Sequence, residues 1–355
     1  MRIKSFGSCA VVFFLGSAVL SSQRVLADAA AAQSFNPEMA PLDSVAPETV
    51  SEPAKTSTAT DEPSPFAAKN LMVGLFDLSF YSLYLGSPDV HGYAYIPNFR
   101  PKIGLYYSYK STTVGWLIPL FLPQSEIDRR GPTRETHILL RKHWRSAGME
   151  FYYQSYRGLY ADSPLSELST HWPDRYPQLP NATVVNYGIN SYFSLDPKHY
   201  NLRAAFDFTD FQSESGGSWL IAPFFNHVEL AIGDVFIPGS DSSSPQSAPS
   251  FSRLTLNTFG AGFGYGYAWV LGRRFVVGQA SAGGGLQLQD LKRETEEISQ
   301  AAPALILNAK VSAGYNFEKY LVGIRLLGSS LSSKVRDLQV SSNLASAQLF
   351  FGGRF

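Results

Sequence analysis

From Ser341 to Phe355 the chain reads SSNLASAQLFFGGRF and stops on an aromatic residue. Ala345, Ala347, Leu349, Phe351, Gly353 and Phe355 take alternate positions, with Ser346, Gln348, Gly352 and Arg354 between them. Phe350 breaks the alternation. A period of two gives a strand one oily face and one wet face, and about ten such residues span a bilayer. The competing reading is the last strand of a soluble sandwich, which needs no terminal Phe. The rest of the chain decides between them.

Composition favours the membrane. The 355 residues carry no net charge, which gives no bulk attraction for nucleic acid. Aromatics make up 14% and charged residues only 16%, with 29 glycines, as suits a chain that shows apolar side chains to lipid. A terminal Phe after alternating apolar residues resembles the insertion signal of bacterial outer-membrane barrels, so Phe351 and Phe355 are assigned that role.

Residues 1–27 read as a secretory signal peptide. Arg2 and Lys4 precede an apolar run from Ala10 to Leu20, and Val25-Leu26-Ala27 offers a cleavage site. Cys9, the only cysteine, lies inside that run, so the mature chain is expected to have no disulfide and no thiol chemistry. Residues 28–70 are rich in Pro, Ala and Ser and read as a disordered periplasmic leader. No later run approaches 18 apolar residues. A membrane reading therefore requires a closed barrel over 71–355, because an open sheet leaves backbone groups unpaired in lipid.

Strand follows strand from Leu71, with no convincing amphipathic helix. Segments 72–84, 100–109, 112–121, 135–145, 148–157, 183–195, 200–211, 218–226, 254–269, 274–289, 304–317 and 320–332 alternate. Turns near 110, 146, 197, 272 and 318 are short, whereas connections 86–98, 122–134, 158–181 and 290–302 are longer and polar. Loop lengths sorted by end are the pattern of an outer-membrane barrel. Both termini on one side demand an even number of strands, and a further strand at 228–237 restores the parity. The fold class is all-β: a transmembrane antiparallel up-and-down barrel of about fourteen strands, with twelve as the alternative. The last strand must pair with the one near 72–84 to close it.

With the apolar faces on lipid, the other faces line a lumen. Lys102, Arg141, Arg203, Lys310 and Arg325 are candidate lumen cations, with Arg145 and Arg354 on the same face, and Glu150 and Asp207 the acids. Such an excess of positive charge would favour anions; the alternative places several of these near strand ends, against solvent or lipid phosphates. In the strand 254–269, Gly260, Gly262, Gly264 and Gly266 share one face. They form a lumen wall without side chains, which lets a loop or plug approach the backbone or the sheet bend. A phosphate loop is disfavoured, since the period is two and no helix follows. Tyr265, Tyr267 and Trp269 fit an aromatic girdle at the periplasmic lipid boundary, and Tyr153, Tyr156 and Tyr160 one at the other boundary. A ligand-stacking platform is the alternative for the second set.

Two stretches together carry a resemblance. One is Tyr95-Ile96-Pro97-Asn98 followed by KIGLYYSYK. The other is Gly131-Pro132-Thr133 followed by a strand pair ending YYQSYRGLY at 152–160. With the Tyr153, Tyr156, Gly158, Tyr160 spacing, they resemble a family of Gram-negative outer-membrane proteins classed as a domain of unknown function. The resemblance is clearest over 71–165. It implies a barrel and supplies no activity, ligand or catalytic residue.

No histidine sits in a nucleophile-elbow or HExxH context, and His137 and His143, six residues apart on one strand face, are too distant to share a metal. The expectation is a non-enzymatic protein of the cell outer membrane without metal or cofactor. It serves as a structural or narrow transport barrel, with membrane lipid and the barrel-assembly machinery as partners. The alternatives are a lipid hydrolase, or an adhesin acting through loops 122–134 and 158–181.

Overall fold

A computed structural model describes residues 70–87, 90–162, 176–232, 252–292, 297–335 and 338–355. The signal peptide, its Cys9 and the leader up to residue 69 lie outside the described residues. The strands are β1 (Leu71–Ser87), β2 (Val90–Ile96), β3 (Lys102–Tyr109), β4 (Thr112–Pro119), β5 (Arg134–His143), β6 (Ala147–Asp162) and β7 (Gln178–Ser194). After them come β8 (Gly216–Ala231), β9 (Arg253–Leu271), β10 (Arg274–Lys292), β11 (Glu297–Asn316), β12 (Tyr320–Val335) and β13 (Leu338–Arg354). One short helix, α1 (Gln124–Arg130), interrupts them within the stretch 122–134 that the sequence reading left as loop.

The terminal strand closes the cylinder as its pattern requires. β13 pairs antiparallel with β1 from Leu71↔Arg354 to Gly86↔Gln339. All strands except β2 form a closed ring of twelve, the alternative count rather than fourteen. Two segments account for the difference. Residues 200–211 are not a strand but fold into the lumen, with a π-helical turn at Arg203–Asp207. The strand expected at 218–226 and the start of the one expected at 228–237 are a single strand, β8, and residues 233–237 lie outside the described residues.

β2 explains a second departure. It pairs with β1 at Leu83↔Tyr95 and with β6 at Tyr95↔Ala161, above the short strands β3 to β5. At the end away from the chain termini, the wall is therefore closed by β1, β2 and β6 to β13, ten strands in all. A ring of ten is narrower than one of twelve, and rings near eight strands are filled by side chains.

The inward residues of β1 show the consequence. Leu71, Val73 and Leu75 come first, Asp77 and Ser79 next, and Tyr81, Leu83 and Leu85 last. The lumen is thus layered: apolar at the terminal end, polar in the middle, apolar at the far end. The far layer joins Tyr81, Leu83, Val184, Leu230, Leu254, Leu256 and Leu291, all buried.

Outside, the sequence inverts at the same height without changing its geometric parity. Along β9, Phe259, Phe263, Tyr265 and Trp269 are exposed on the outer face. Beyond Phe259 that face carries Asn257, Thr255 and Arg253, while Leu256 and Leu254 turn inward. Phe259 to Trp269 is ten residues, about 26 Å of axial height at ~3.4 Å per residue and ~40° tilt, which matches the apolar band of a membrane barrel. Past that band the barrel is built like a soluble one, polar outside and dry inside.

The resemblance-bearing residues meet at one junction. The Asn98 backbone N–H donates to Thr133 Oγ1 (2.9 Å), Asn98 Nδ2 donates to the Gly131 carbonyl (3.0 Å), and Thr133 Oγ1 donates to the Gly158 carbonyl (2.7 Å). Together they tie the end of β2 and the start of β5 to a bulge in β6. Gly158 sits in that bulge at φ 84°, and a Cβ there would lie 2.1 Å from the Pro132 carbonyl oxygen. Gly158→Ala should therefore cost roughly 3 kcal/mol, strain and overpacking together. A fall in the urea midpoint of the refolded barrel measures it; an unchanged midpoint would refute the junction's role.

Candidate functional site

The polar middle of the lumen gathers buried charges from strands on opposite walls. Glu150 on β6 is buried and gathers Arg141 Nε from β5 at 3.2 Å, the Lys310 ammonium from β11 across the lumen, and His143 Nε2 at 3.9 Å. A second buried carboxylate, Glu135, gathers Arg100 at 2.9 Å, Lys102 at 3.3 Å and His137 at 3.1 Å. Asp77 is fully buried without a cation on it: its Oδ1 accepts from Ser346 (2.5 Å) and Gln348 (3.0 Å), and its Oδ2 has no hydrogen-bond partner.

The lumen consequently carries more acids than the two, Glu150 and Asp207, read from the sequence. Asp77 and Glu135 were missed there. With Glu150 and Asp207 they answer most, not all, of the charge on Arg100, Lys102, Arg141, Lys310, Arg325 and Arg354, which weakens the argument for anion selectivity. Asp77 alternates in register with Phe76, Leu78 and Phe80, and that pattern could have shown it.

A cavity of ≈ 160 Å³ lies between these groups, lined among others by Asp77, Arg141, Glu150, Asn186, Asn226, Asn308 and Lys310. A closed space of about 150 Å³ holds a molecule of roughly benzene size, or several waters where it is polar.

Below the cavity, at the end where Leu71 and Arg354 pair, residues 200–210 of the 195–215 segment fill the ring. Asn201 Oδ1 caps the turn by accepting from the backbone N–H of Arg203 (3.0 Å) and of Ala204 (3.4 Å). Leu202, Ala205, Phe206 and Phe208 pack against the apolar wall of Leu71, Val73, Leu75, Phe275 and Phe350. The Leu202 backbone N–H donates to the Arg145 carbonyl (3.1 Å), Arg145 Nε pairs with Asp210 (3.2 Å), and further polar contacts hold the segment to the wall. Arg325 Nη2 donates to the Phe206 carbonyl (3.0 Å), Arg354 Nη2 donates to the Phe208 carbonyl (2.7 Å), and His143 Nδ1 pairs with Asp207 (2.7 Å). Phe208 adopts φ 55°, a left-handed conformation rare for a bulky residue. Asp196, in the exposed turn leading into the segment, is held below the usual carboxylate range by the His199 ring hydrogen-bonded to it at 2.6 Å.

This segment corrects several assignments. Asp207 is a lumen group, but it rides on the plug and not on a barrel strand, because the apolar residues around it cover an inner wall. Arg203, also on the plug, is half-buried and donates to the Thr209 carbonyl (3.4 Å). The glycine wall serves the plug at one point: a Cβ at Gly266 would lie 2.4 Å from the Tyr200 ring.

The aromatic assignments divide. Tyr265 and Trp269 are exposed on the outer face and Tyr267 lies 4.6 Å from Trp269. Tyr153 is half-buried on the outer face of β6. Tyr156 is not in a girdle: it points inward and stacks on Tyr81 at 4.9 Å. Tyr160 is buried beneath α1, against Tyr176 and the Arg130 guanidinium. The Gly158 bulge separates these residues from the regular alternation that suggested one row. Phe351 is exposed on the outer face of β13, and Phe355, one residue past its end, is exposed too.

A comparison with curated proteins finds no match. Among solved structures, the chain is similar to the outer membrane protease OmpT from Escherichia coli (TM-score 0.39, 6% identity, 81% of this chain, 97% of that one). It is similar too to the translocator domain of the autotransporter NalP from Neisseria meningitidis (TM-score 0.36, 11% identity, 81% of this chain, 89% of that one). The toluene transporter TodX of P. putida matches with TM-score 0.28 and 7% identity, over 82% of this chain and 91% of that one. The barrel rests on its own closed pairing rather than on these likenesses. A family model described as a domain of unknown function, DUF4421, matches residues 69–355, and the chain belongs to that family.

Proposed function

We propose that the protein is a closed, non-enzymatic barrel of the outer membrane, with a small-solute pocket reached from the periplasmic end when the 195–215 segment moves. One observation carries this reading: a cavity lined by paired charges, amides and apolar side chains lies between a latched plug and a dry apolar layer. Amides, hydroxyls and paired charges of both signs suit a small neutral or zwitterionic solute. The apolar far layer favours binding over through-flow, because ions do not cross a packed hydrocarbon layer.

Planar bilayers test it. The inserted, heat-modifiable wild-type barrel should carry no steady current, and neither should a variant with the plug latch removed. A steady wild-type current would overturn the closed reading, and current through the latch variant alone would turn the pocket into a gated pore. Phospholipid cleavage by the protein in detergent would restore the hydrolase alternative. Four histidines have polar partners: His137 is bonded to Glu135, His143 to Asp207, His199 to Asp196 and His227 to Asn257.

A further inference from the structure

Two arginines stand directly opposite each other on the outer face of the barrel. Arg134 on β5 pairs in register with Arg157 on β6, and both are exposed. Neither has a hydrogen bond or ion pair among the described residues. Like charges placed opposite each other destabilise a sheet unless something answers them.

The rungs below say what does. Thr136↔Ser155 comes next, then Ile138↔Tyr153, then Leu140↔Phe151, all on the same outer face. The order is charge, hydroxyl, aromatic and aliphatic, descending into the lipid belt. Tyr153 takes the place of a boundary ring, amphipathic at the top of the apolar band. Arg157 lies four residues beyond it, about 10 Å higher at ~3.4 Å per residue and ~40° tilt, which is the depth of lipid headgroups. Glu135, the acid next in sequence to Arg134, points the other way and is occupied by Arg100, Lys102 and His137.

We propose that Arg134 and Arg157 form a site for the phosphate of an anionic lipid, in the leaflet away from the chain termini. Two guanidinium forks can hold one phosphate, each through paired N–H donors. The hydroxyls of Thr136 and Ser155 lie beneath the headgroup, and Ile138, Leu140, Phe151 and Tyr153 meet the acyl chains. A phosphate free in solution gains nothing from the apolar rungs, so the ladder selects the lipid.

The full-length protein in phosphatidylcholine nanodiscs doped with phosphatidylglycerol tests the site, with retained lipid counted by native mass spectrometry. The parent should retain phosphatidylglycerol preferentially. Arg134→Gln with Arg157→Gln should weaken that retention about tenfold or more. Arg253→Gln removes an exposed arginine that is salt-bridged to Glu229 and should leave retention unchanged. Heat-modifiability confirms that each barrel is closed, and the single Arg157→Gln serves should the double variant not close. Equal retention by parent and variant, equal loss from Arg253→Gln, or displacement of the lipid by inorganic phosphate would each overturn the proposal.

Discussion

Removing the plug latch should expose the lumen cavity to reagents from the end of the barrel where Leu71 and Arg354 pair. Arg325 and Arg354 each place a guanidinium on a carbonyl of the plug, at Phe206 and Phe208. Arg325 also lies over the rings of Phe208 and Phe350, at 5.3 and 5.5 Å. A hydrogen bond from a charged donor contributes about 1.5–3 kcal/mol, so losing two should favour the open state by at least about a hundredfold. The assay starts from a Cys9→Ser background and adds Asn308→Cys, which puts one thiol in the cavity lining. With the latch intact, a charged thiol reagent should react slowly. With Arg325→Gln and Arg354→Gln it should react about a hundred times faster, while the barrel stays heat-modifiable. Fast reaction in the intact protein would show that the plug does not seal.

Most of the barrel was legible in its alternation, because lipid and lumen impose opposite demands on successive residues. What the alternation hid has a physical cause in each case. Residues 200–211 alternate because a plug pressed on an apolar wall also needs apolar faces, and Leu202, Phe206 and Phe208 meet that need without pairing to a strand. Phe350 interrupts the period of the last strand because it stacks on Phe208 of that plug, at 5.4 Å. β8 looked like two strands because its oily face changes sides where the barrel leaves the membrane: Phe225 is outward, while Val228 and Leu230 are inward.

The site was less legible than the wall. Glu150 and Lys310 each stood on a wet face, but they are 160 residues apart, and only ring closure brings them across the lumen to each other. Tyr156 and Tyr160 belong to a motif that reads as an aromatic row until the Gly158 bulge sends one ring inward and the other beneath α1. The motif itself is a structural knot of Asn98, Thr133 and Gly158, which accounts for its residue types without invoking a ligand.

Glu150 offers the sharpest test of whether the lumen is sealed, because the worth of its ion pairs depends on the surrounding dielectric. In a water-filled pore, pairs with Arg141 and Lys310 would contribute about 0–1 kcal/mol, as at a protein surface. In a closed lumen, removing the carboxylate leaves two buried cations without a counter-charge, which costs about 3–5 kcal/mol. The side chains of Arg141, Glu150 and Lys310 are 6%, 7% and 13% exposed, which places them in the closed regime. Glu150→Gln keeps the shape and removes the charge. Its urea midpoint should fall by the larger amount, whereas Glu150→Gln with Lys310→Met should recover part of the loss, since one stranded cation has gone. The coupling between the two substitutions should exceed about 1 kcal/mol, as it does for groups in direct contact. A single-variant loss within about 0.5 kcal/mol of the parent, the range of ordinary surface changes, would mean that water reaches the pair freely and that the barrel is an open channel after all.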